Sequence, residues 1–124
     1  MEDEGSLTGR IIAAAIEVHR EIGPGLLESA YEECLCRELG SVGMHFERQR
    51  ELPVVYKGVP VPSAYRLDLL VEGEVIVELK AVEAVLKVHE AQVLTYLRMS
   101  GLRVGLLINF NVPVLRDGIR RFVL

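Results

Sequence analysis

Two adjoining apolar runs, separated by a short loop with one glycine, constrain the fold of this chain more than any other feature. The runs cover residues 65–71 and 75–81, and the loop between them is Glu72-Gly73-Glu74. Strand-length runs of this kind that flank a glycine-containing loop are typical of a β-hairpin. The sequence therefore predicts two antiparallel strands that turn at Gly73.

The register of this hairpin can be predicted from its apolar side chains alone. With Gly73 at the centre of a three-residue loop, three apolar pairs share one face: Val71 with Val75, Leu69 with Val77, and Leu67 with Leu79. A slip of one residue would mix apolar and charged side chains on both faces. We therefore expect the first register, in which Asp68 lies opposite Glu78 with the two Cβ atoms about 5 Å apart. Lys80 is two residues beyond Glu78, so its side chain points the same way.

Asp68, Glu78 and Lys80 together predict metal-assisted chemistry. Two carboxylates at this spacing repel each other, and burying them unpaired is costly. Mg²⁺ removes that cost, because it prefers carboxylate oxygens and binds through one or two protein carboxylates, several waters and substrate phosphates. A cation there would lower the pKa of a coordinated water and neutralise charge on a phosphodiester. Lys80 could orient that water or stabilise the developing negative charge.

The spacing of these residues resembles the core motif of the PD-(D/E)XK nuclease superfamily. Nine residues separate Asp68 from Glu78, and one separates Glu78 from Lys80. Other segments resemble the small GxxExxY family of that superfamily: Gly25-Leu26-Leu27-Glu28-Ser29-Ala30-Tyr31, residues 18–25 and 76–81, the Gln92…Tyr96 pair, and residues 105–110. The resemblance runs from about Leu7 to the C-terminus. One departure is Leu67, which stands where the superfamily motif has a proline.

The resemblance implies an α/β fold like that of restriction endonucleases, with an αβββαβ core and a mixed sheet flanked by helices. It also implies metal-dependent cleavage of phosphodiester bonds in nucleic acids. The implied ligands of Mg²⁺ or Mn²⁺ are Asp68, Glu78, the Leu79 carbonyl and Glu28. The implied catalytic residues are Lys80, Glu78, Asp68 and Gln92. Tyr96 would bind substrate or support the site, and Tyr31 would support the site or belong to the core.

Each of these residues also has a purely structural interpretation. Glu28 lies in the first turn of its predicted helix, where a carboxylate complements the helix dipole. Asp68 and Glu78 could be solvated residues on an exposed sheet face, and Lys80 could simply pair with a carboxylate. The Gln92…Tyr96 pair could form a polar helix face with one partly buried ring.

Composition limits the class of protein. The chain has 124 residues, of which 50% are hydrophobic, so we expect one folded domain over residues 1–124, with a flexible terminus at 1–6. No apolar run could span a membrane and the acidic N-terminus is unlike a signal peptide, so we expect a cytoplasmic protein. The net charge of −4 counts against nucleic-acid binding. Positive charge is nevertheless clustered, at Arg48 and Arg50 and at Arg116, Arg120 and Arg121.

The remaining patterns place the site within predicted elements. Helices are predicted at about 7–21, 26–39 and 86–100, and strands at about 46–52, 54–56, 65–71, 75–81, 102–109 and 119–124. Ile12, Ile16 and His19 are predicted to share one face of the first helix, beside an alanine-rich stretch suited to close packing. Gly40 is predicted to end the second helix, and Pro60 and Pro62 to mark an edge or loop. The helix before residues 102–109 predicts that this strand is parallel to the Glu78 strand.

The function that these features favour is hydrolysis of DNA or RNA, with DNA ahead of RNA, by a metal-activated water. The small size of the chain suggests a homodimer or a protein partner that supplies specificity. Two alternatives stay open: a non-catalytic binding or scaffolding module that keeps the fold, and a hydrolase of small phosphate esters.

Overall fold

Three α-helices cover the two faces of a five-stranded sheet in the computed structural model, which describes residues 5–124 without the side chains of Ser63 and Ala64. The helices are α1 (Leu7–Ile22), α2 (Glu28–Ser41) and α3 (Lys87–Ser100); the strands are β1 (Phe46–Tyr56), β2 (Val59–Val71), β3 (Val75–Lys80), β4 (Val104–Asn109) and β5 (Ile119–Val123). The strands lie in chain order, and only β3 and β4 pair in parallel. This mixed sheet flanked by helices confirms the predicted α/β fold class.

The sheet separates two apolar cores. The first core lies beneath α1 and α2 and includes Ile11, Ala15, Tyr31, Leu35, Leu69, Val77, Leu79 and Ile108. The second core lies beneath α3 and includes Leu67, Leu70, Ile76, Val93, Tyr96, Leu97 and Leu107. Because β3 and β4 contribute side chains to both cores, they are buried on both faces, as their nearly continuous apolar sequences predict.

The first helix begins with a side-chain cap. The Ser6 hydroxyl accepts a hydrogen bond from the Gly9 N–H at 3.0 Å, which satisfies one of the free donors of the first turn. The flexible terminus predicted for residues 1–6 falls mainly on residues 1–4, outside the described part of the chain. Within residues 5–124, none of the helices is long and apolar enough to cross a bilayer.

The predicted faces and ends of the first two helices need correction. Ile16 of α1 is 39% exposed, and the helix instead packs through smaller neighbours: Ile11, Ala14, Ala15 and Val18, together with His19. Alanines allow close packing, so they displace the larger Ile16 from the contact. Helix α2 runs through Gly40 to Ser41, and the chain turns at Gly43 instead, which has a φ of +79°.

The first hairpin is longer than predicted. The two short strands expected at 46–52 and 54–56 form one strand, β1, with an irregular register between Leu52 and Val54. The second strand begins at Val59 rather than Tyr65, and it includes Pro60 and Pro62. Prolines are tolerated there because β3 pairs with β2 only at residues 69–71, which leaves that edge of β2 open.

Candidate functional site

Strands β2 and β3 separate soon after their connecting loop, and two carboxylates fill the gap. The backbone ladder consists of Val71–Val75, Leu70–Ile76 and Leu69–Val77. Beyond it, the Asp68 N–H donates to Glu78 Oε1 at 3.1 Å, and the Leu79 N–H donates to Asp68 Oδ2 at 2.8 Å. Each carboxylate therefore accepts a hydrogen bond that a backbone carbonyl would accept in a regular ladder. The donating N–H groups of Asp68 and Leu79 fix the orientation of the two carboxylates.

This arrangement confirms the predicted register for Val71–Val75 and Leu69–Val77, and it brings Asp68 and Glu78 together. The prediction that Leu67 shares an apolar face with Leu79 is wrong. Leu67 lies in the core beneath α3, whereas Leu79 lies in the core beneath α1 and α2. The alternation of side chains along β2 is interrupted at Asp68, because Leu67 and Leu69 face opposite sides of the sheet.

Burial raises the pKa of both carboxyl groups. Glu78 is only 4% exposed, and burial followed by the charge of Asp68 raises its pKa to about 8. Burial also raises the pKa of Asp68, and the charge of Glu32 raises it further, whereas the Leu79 N–H bond acts in the opposite direction. Both groups therefore resist ionisation until a positive charge approaches them.

The oxygen atoms at this gap fit a hard divalent cation. The two backbone bonds use Asp68 Oδ2 and Glu78 Oε1, and of the two remaining carboxylate oxygens Asp68 Oδ1 has a long contact of 3.5 Å with Gln49 Nε2. The Leu79 N–H points toward Asp68, and its carbonyl points to the same side, because the N–H and C=O of one strand residue lie on one edge. Two carboxylates, one carbonyl and water molecules make a ligand set that suits Mg²⁺ or Mn²⁺.

Helix α2 contributes acidic residues beside this gap. The charge of Asp68 adds to the effect of burial and raises the pKa of Glu28, whereas the charge of Lys80 lowers it. Within residues 5–124, no group of three or more acidic, histidine or cysteine side chains lies close enough together to hold a metal ion. Glu28 lies near enough to Asp68 and Lys80 for their charges to change its pKa, and its role as a metal ligand stays a prediction.

Burial raises the pKa values of Glu28, Asp68 and Glu78, and the charge of Lys80 at the end of β3 partly offsets this rise. Among the described residues, Lys80 forms no ion pair within 4 Å. The chain after Lys80 is held by Asn109 of β4. The Asn109 amide accepts from the Val82 N–H at 3.1 Å and donates to the Val82 carbonyl at 2.9 Å.

Tyr96 on α3 lies next to the carboxylates. Its ring meets that of Tyr65 edge-on with the centroids 4.9 Å apart, and burial followed by the charges of Glu78 and Asp68 raises its pKa to about 12. Gln92 lies one turn earlier on the same helix and is half-buried. The position of Tyr96 supports the prediction that it borders the site.

Tyr31 belongs to the core rather than to an open surface. Its ring stacks on Phe110 with the centroids 4.5 Å apart. Its hydroxyl donates to the Gly23 carbonyl at 2.6 Å and accepts from the Leu26 N–H at 3.2 Å. Tyr31 therefore braces the turn that leads into Glu28, and its buried ring offers no surface to a substrate.

Three of the five arginines expected to form basic patches, Arg48, Arg50 and Arg120, are paired with glutamates. Arg48 contacts Glu32 at 2.9 Å and Glu33 at 3.2 Å. Arg50 pairs with Glu47, and Arg120 pairs with Glu90 at 2.7 Å. These ion pairs offset most of the positive charge that the clustered arginines would present to a polyanion.

Two residues near Asp68 have no part in the sequence-based prediction. Gln49 Nε2 donates to Glu32 Oε1 at 2.6 Å and lies 3.5 Å from Asp68 Oδ1. Glu32 follows Glu28 by one helical turn, and this spacing was the only signal in the sequence that could have indicated it. Gln49 carried no signal, because its backbone conformation cannot be inferred from its neighbours.

A model of the PD-(D/E)XK nuclease superfamily matches residues 5–122. No curated protein and no solved structure matches the chain. The narrower resemblance to the GxxExxY family stays a prediction. Since the match covers nearly the whole length, the chain belongs to the PD-(D/E)XK nuclease superfamily.

Proposed function

We propose that this protein is a Mg²⁺- or Mn²⁺-dependent nuclease of the GxxExxY type, and that DNA is its substrate ahead of RNA. The observation that carries the proposal is the pair of backbone-oriented carboxylates, Asp68 and Glu78, in the gap between β2 and β3. We place its activity in the cytoplasm, with a homodimer or a protein partner as the source of specificity.

The residues of the site have separate roles in this proposal. A bound divalent cation would supply Lewis-acid stabilisation of a phosphodiester and would acidify water. Asp68, Glu78 and the Leu79 carbonyl would hold that cation, and Glu28 would act from α2 through its charge or through water. Lys80 would stabilise negative charge on the phosphate or orient the attacking water.

Two side chains on α3 would complete the surface beside the carboxylates. Gln92 is half-buried and could donate a hydrogen bond to a substrate phosphate. Tyr96 would limit the access of water to Glu78, because its ring is buried beside the carboxylates. Tyr31 would act only through the turn before Glu28.

Metal binding is the first test. Calorimetric titration with Mn²⁺ should show binding to the wild type, and Asp68→Asn should abolish it while leaving the thermal unfolding midpoint near that of the wild type. Asp117→Asn is the matched control, because Asp117 is an exposed carboxylate in the turn before β5 and should bind Mn²⁺ normally. Equal binding by wild type and Asp68→Asn would refute the site.

Cleavage is the second test. A labelled DNA and RNA panel should be cut in the presence of Mn²⁺, and Lys80→Ala should lower the rate by about 100-fold or more without loss of Mn²⁺ binding. Lys87→Ala, an exposed change at the start of α3, should cut normally. If Mn²⁺ binds and a panel of small phosphate esters is hydrolysed instead, the small-ester alternative is correct. If Mn²⁺ binds and neither panel is cut, the fold serves binding alone.

A further inference from the structure

Gln49 has an unusual backbone conformation for a residue inside a strand. Its φ is +50°, in the left-handed region that residues other than glycine rarely adopt. In residues 5–124, the other non-glycine residues with positive φ are Lys57 and Glu72, and both lie in hairpin turns. Gln49 lies within β1, where no turn requires this conformation.

The ladder between β1 and β2 is interrupted at this residue. Arg48 pairs with Leu69 and Arg50 pairs with Leu67, but the intervening pair, Gln49 with Asp68, is missing from the ladder. The faces of β2 change at the same place, because Leu67 and Leu69 enter different cores. The left-handed turn of Gln49 and the rotation of Asp68 toward β3 therefore occur opposite each other.

The Gln49 side chain is anchored away from the gap. Its Nε2 donates to Glu32 Oε1 at 2.6 Å, and Arg48 holds the second oxygen of Glu32 at 2.9 Å. The contact between Gln49 Nε2 and Asp68 Oδ1 is longer, at 3.5 Å. The Asp68 carboxylate is therefore held mainly by the Leu79 N–H and only weakly by the Gln49 amide.

We infer that Gln49 is a positioning residue for Asp68: its left-handed backbone, anchored through Glu32, turns the Asp68 carboxylate into the gap beside Glu78. The inference rests on the proposed metal-dependent function. A regular strand conformation at Gln49 would restore the pair with Asp68 in the ladder. The Asp68 carboxylate would then leave the Leu79 N–H and the cation site.

Two substitutions with opposite backbone preferences test the inference. Gln49→Gly keeps the left-handed conformation available and removes only the side chain, so Mn²⁺ affinity should fall by no more than a few-fold. Gln49→Val favours regular strand backbone, so Mn²⁺ affinity should fall by about tenfold or more. Because valine suits a strand, its thermal midpoint should stay equal to that of the wild type or rise. If Gln49 had a merely structural role, Gln49→Val would instead lower the thermal midpoint and the Mn²⁺ affinity together.

A second measurement keeps the inference testable even if the wild type binds no Mn²⁺ and the proposed function fails. Hydrogen exchange of the Leu79 amide, followed by NMR in metal-free protein, reports the bond to Asp68 directly. Its protection should persist in Gln49→Gly and be lost in Gln49→Val, while the Val77 amide stays protected in both. Normal Leu79 protection in Gln49→Val would overturn the inference whatever the metal result.

Discussion

At the scale of single residues, the site depends on carboxylates that are buried at a cost. Glu78 and Asp68 accept bonds from the backbone, but burial still disfavours their ionised forms, and the charges of Asp68 on Glu78 and of Glu32 on Asp68 add to this effect. A polar pair of this kind stabilises nothing by itself in the absence of a cation. Its presence where β2 and β3 are buried is therefore best explained by binding.

The first prediction concerns pH. The pKa of Glu78 rises from 4.5 in the unfolded chain to about 8 in the folded one, so between these values the folded protein holds a proton that the unfolded chain has released. The metal-free protein should therefore lose stability as pH rises through this window, on the order of a few kcal/mol. Asp68 should act in the same direction because its pKa is also raised.

Urea unfolding in a chelating buffer at pH about 5 and about 8 measures this loss. Glu78→Gln keeps a side-chain oxygen for the Asp68 N–H and cannot ionise. It should therefore flatten the profile and be more stable than the wild type at the higher pH. A wild-type stability that is constant or increases across the window would contradict the raised pKa.

At the scale of elements, the end of β4 holds the segment that follows Lys80. Asn109 binds Val82 through both atoms of its amide, and the Phe110 N–H donates to the Lys80 carbonyl at 2.9 Å. Gly118 lies against the other side of this strand end, where a Cβ would be 2.1 Å from the Asn109 carbonyl oxygen. The backbone around Asn109 is therefore fixed from both sides.

The second prediction follows from this contact. Gly118→Ala should destabilise the protein by about 3 kcal/mol, because the added methyl group must displace the backbone of Asn109. The control is Gly40→Ala in α2, where a Cβ meets nothing within 4 Å. That change should stabilise the protein by about 0.5–1 kcal/mol. Equal midpoints of urea unfolding for the two variants would show that the Asn109 contact is unimportant.

Some elements of the fold could be predicted from the sequence, and others could not. The hairpin register near Gly73 follows from apolar periodicity and glycine placement, and the parallel pairing of β3 with β4 follows from the helix between them; both are confirmed. The change of faces at Asp68 could not be predicted, because it depends on the left-handed backbone of Gln49 in a neighbouring strand. On α1, the alanine-rich stretch packs closely and His19 is buried, but Ile16 is 39% exposed, because close packing of the alanines displaces this larger side chain.

The candidate site could be predicted only where motif spacing carries information. Asp68 and Glu78 are brought together as expected, because both lie on one hairpin. The position of Glu28 relative to this pair could not be predicted from the sequence, since it depends on how α2 packs on the sheet, and its role as a metal ligand stays a prediction. Gln49 and Glu32 carry no motif, and their contact with each other arises only in the folded chain.

At the scale of the whole molecule, electrostatics oppose tight binding of a polyanion. The net charge is −4, and Arg48, Arg50 and Arg120 are all paired with glutamates. Part of the acidic charge lies at the proposed metal site, where a bound cation would offset it. Affinity for nucleic acid must therefore come mainly from the site itself or from a partner.

The third prediction tests this balance. The wild type should bind a labelled DNA duplex more weakly than about 10 μM at physiological salt, as measured by fluorescence anisotropy. Glu90→Gln frees Arg120 and should tighten binding by several-fold at low salt. The control is Glu83→Gln, which makes the same change of charge at an exposed position and should have a smaller effect. Tight, salt-independent binding of DNA by the wild type would show that the charge of the protein does not oppose binding of a polyanion.

The closeness of Asp68 and Glu78 along the chain, ten residues apart, also has a consequence for the kinetics of folding. Short hairpins close within microseconds, so these carboxylates meet early, before α3 and β4 complete the sheet. At neutral pH both are ionised in the unfolded chain, and their repulsion opposes that first closure. We therefore expect the refolding rate to fall as pH rises and to recover when Mn²⁺ is added. The same cation would then assist both the proposed hydrolysis and the assembly of the sheet.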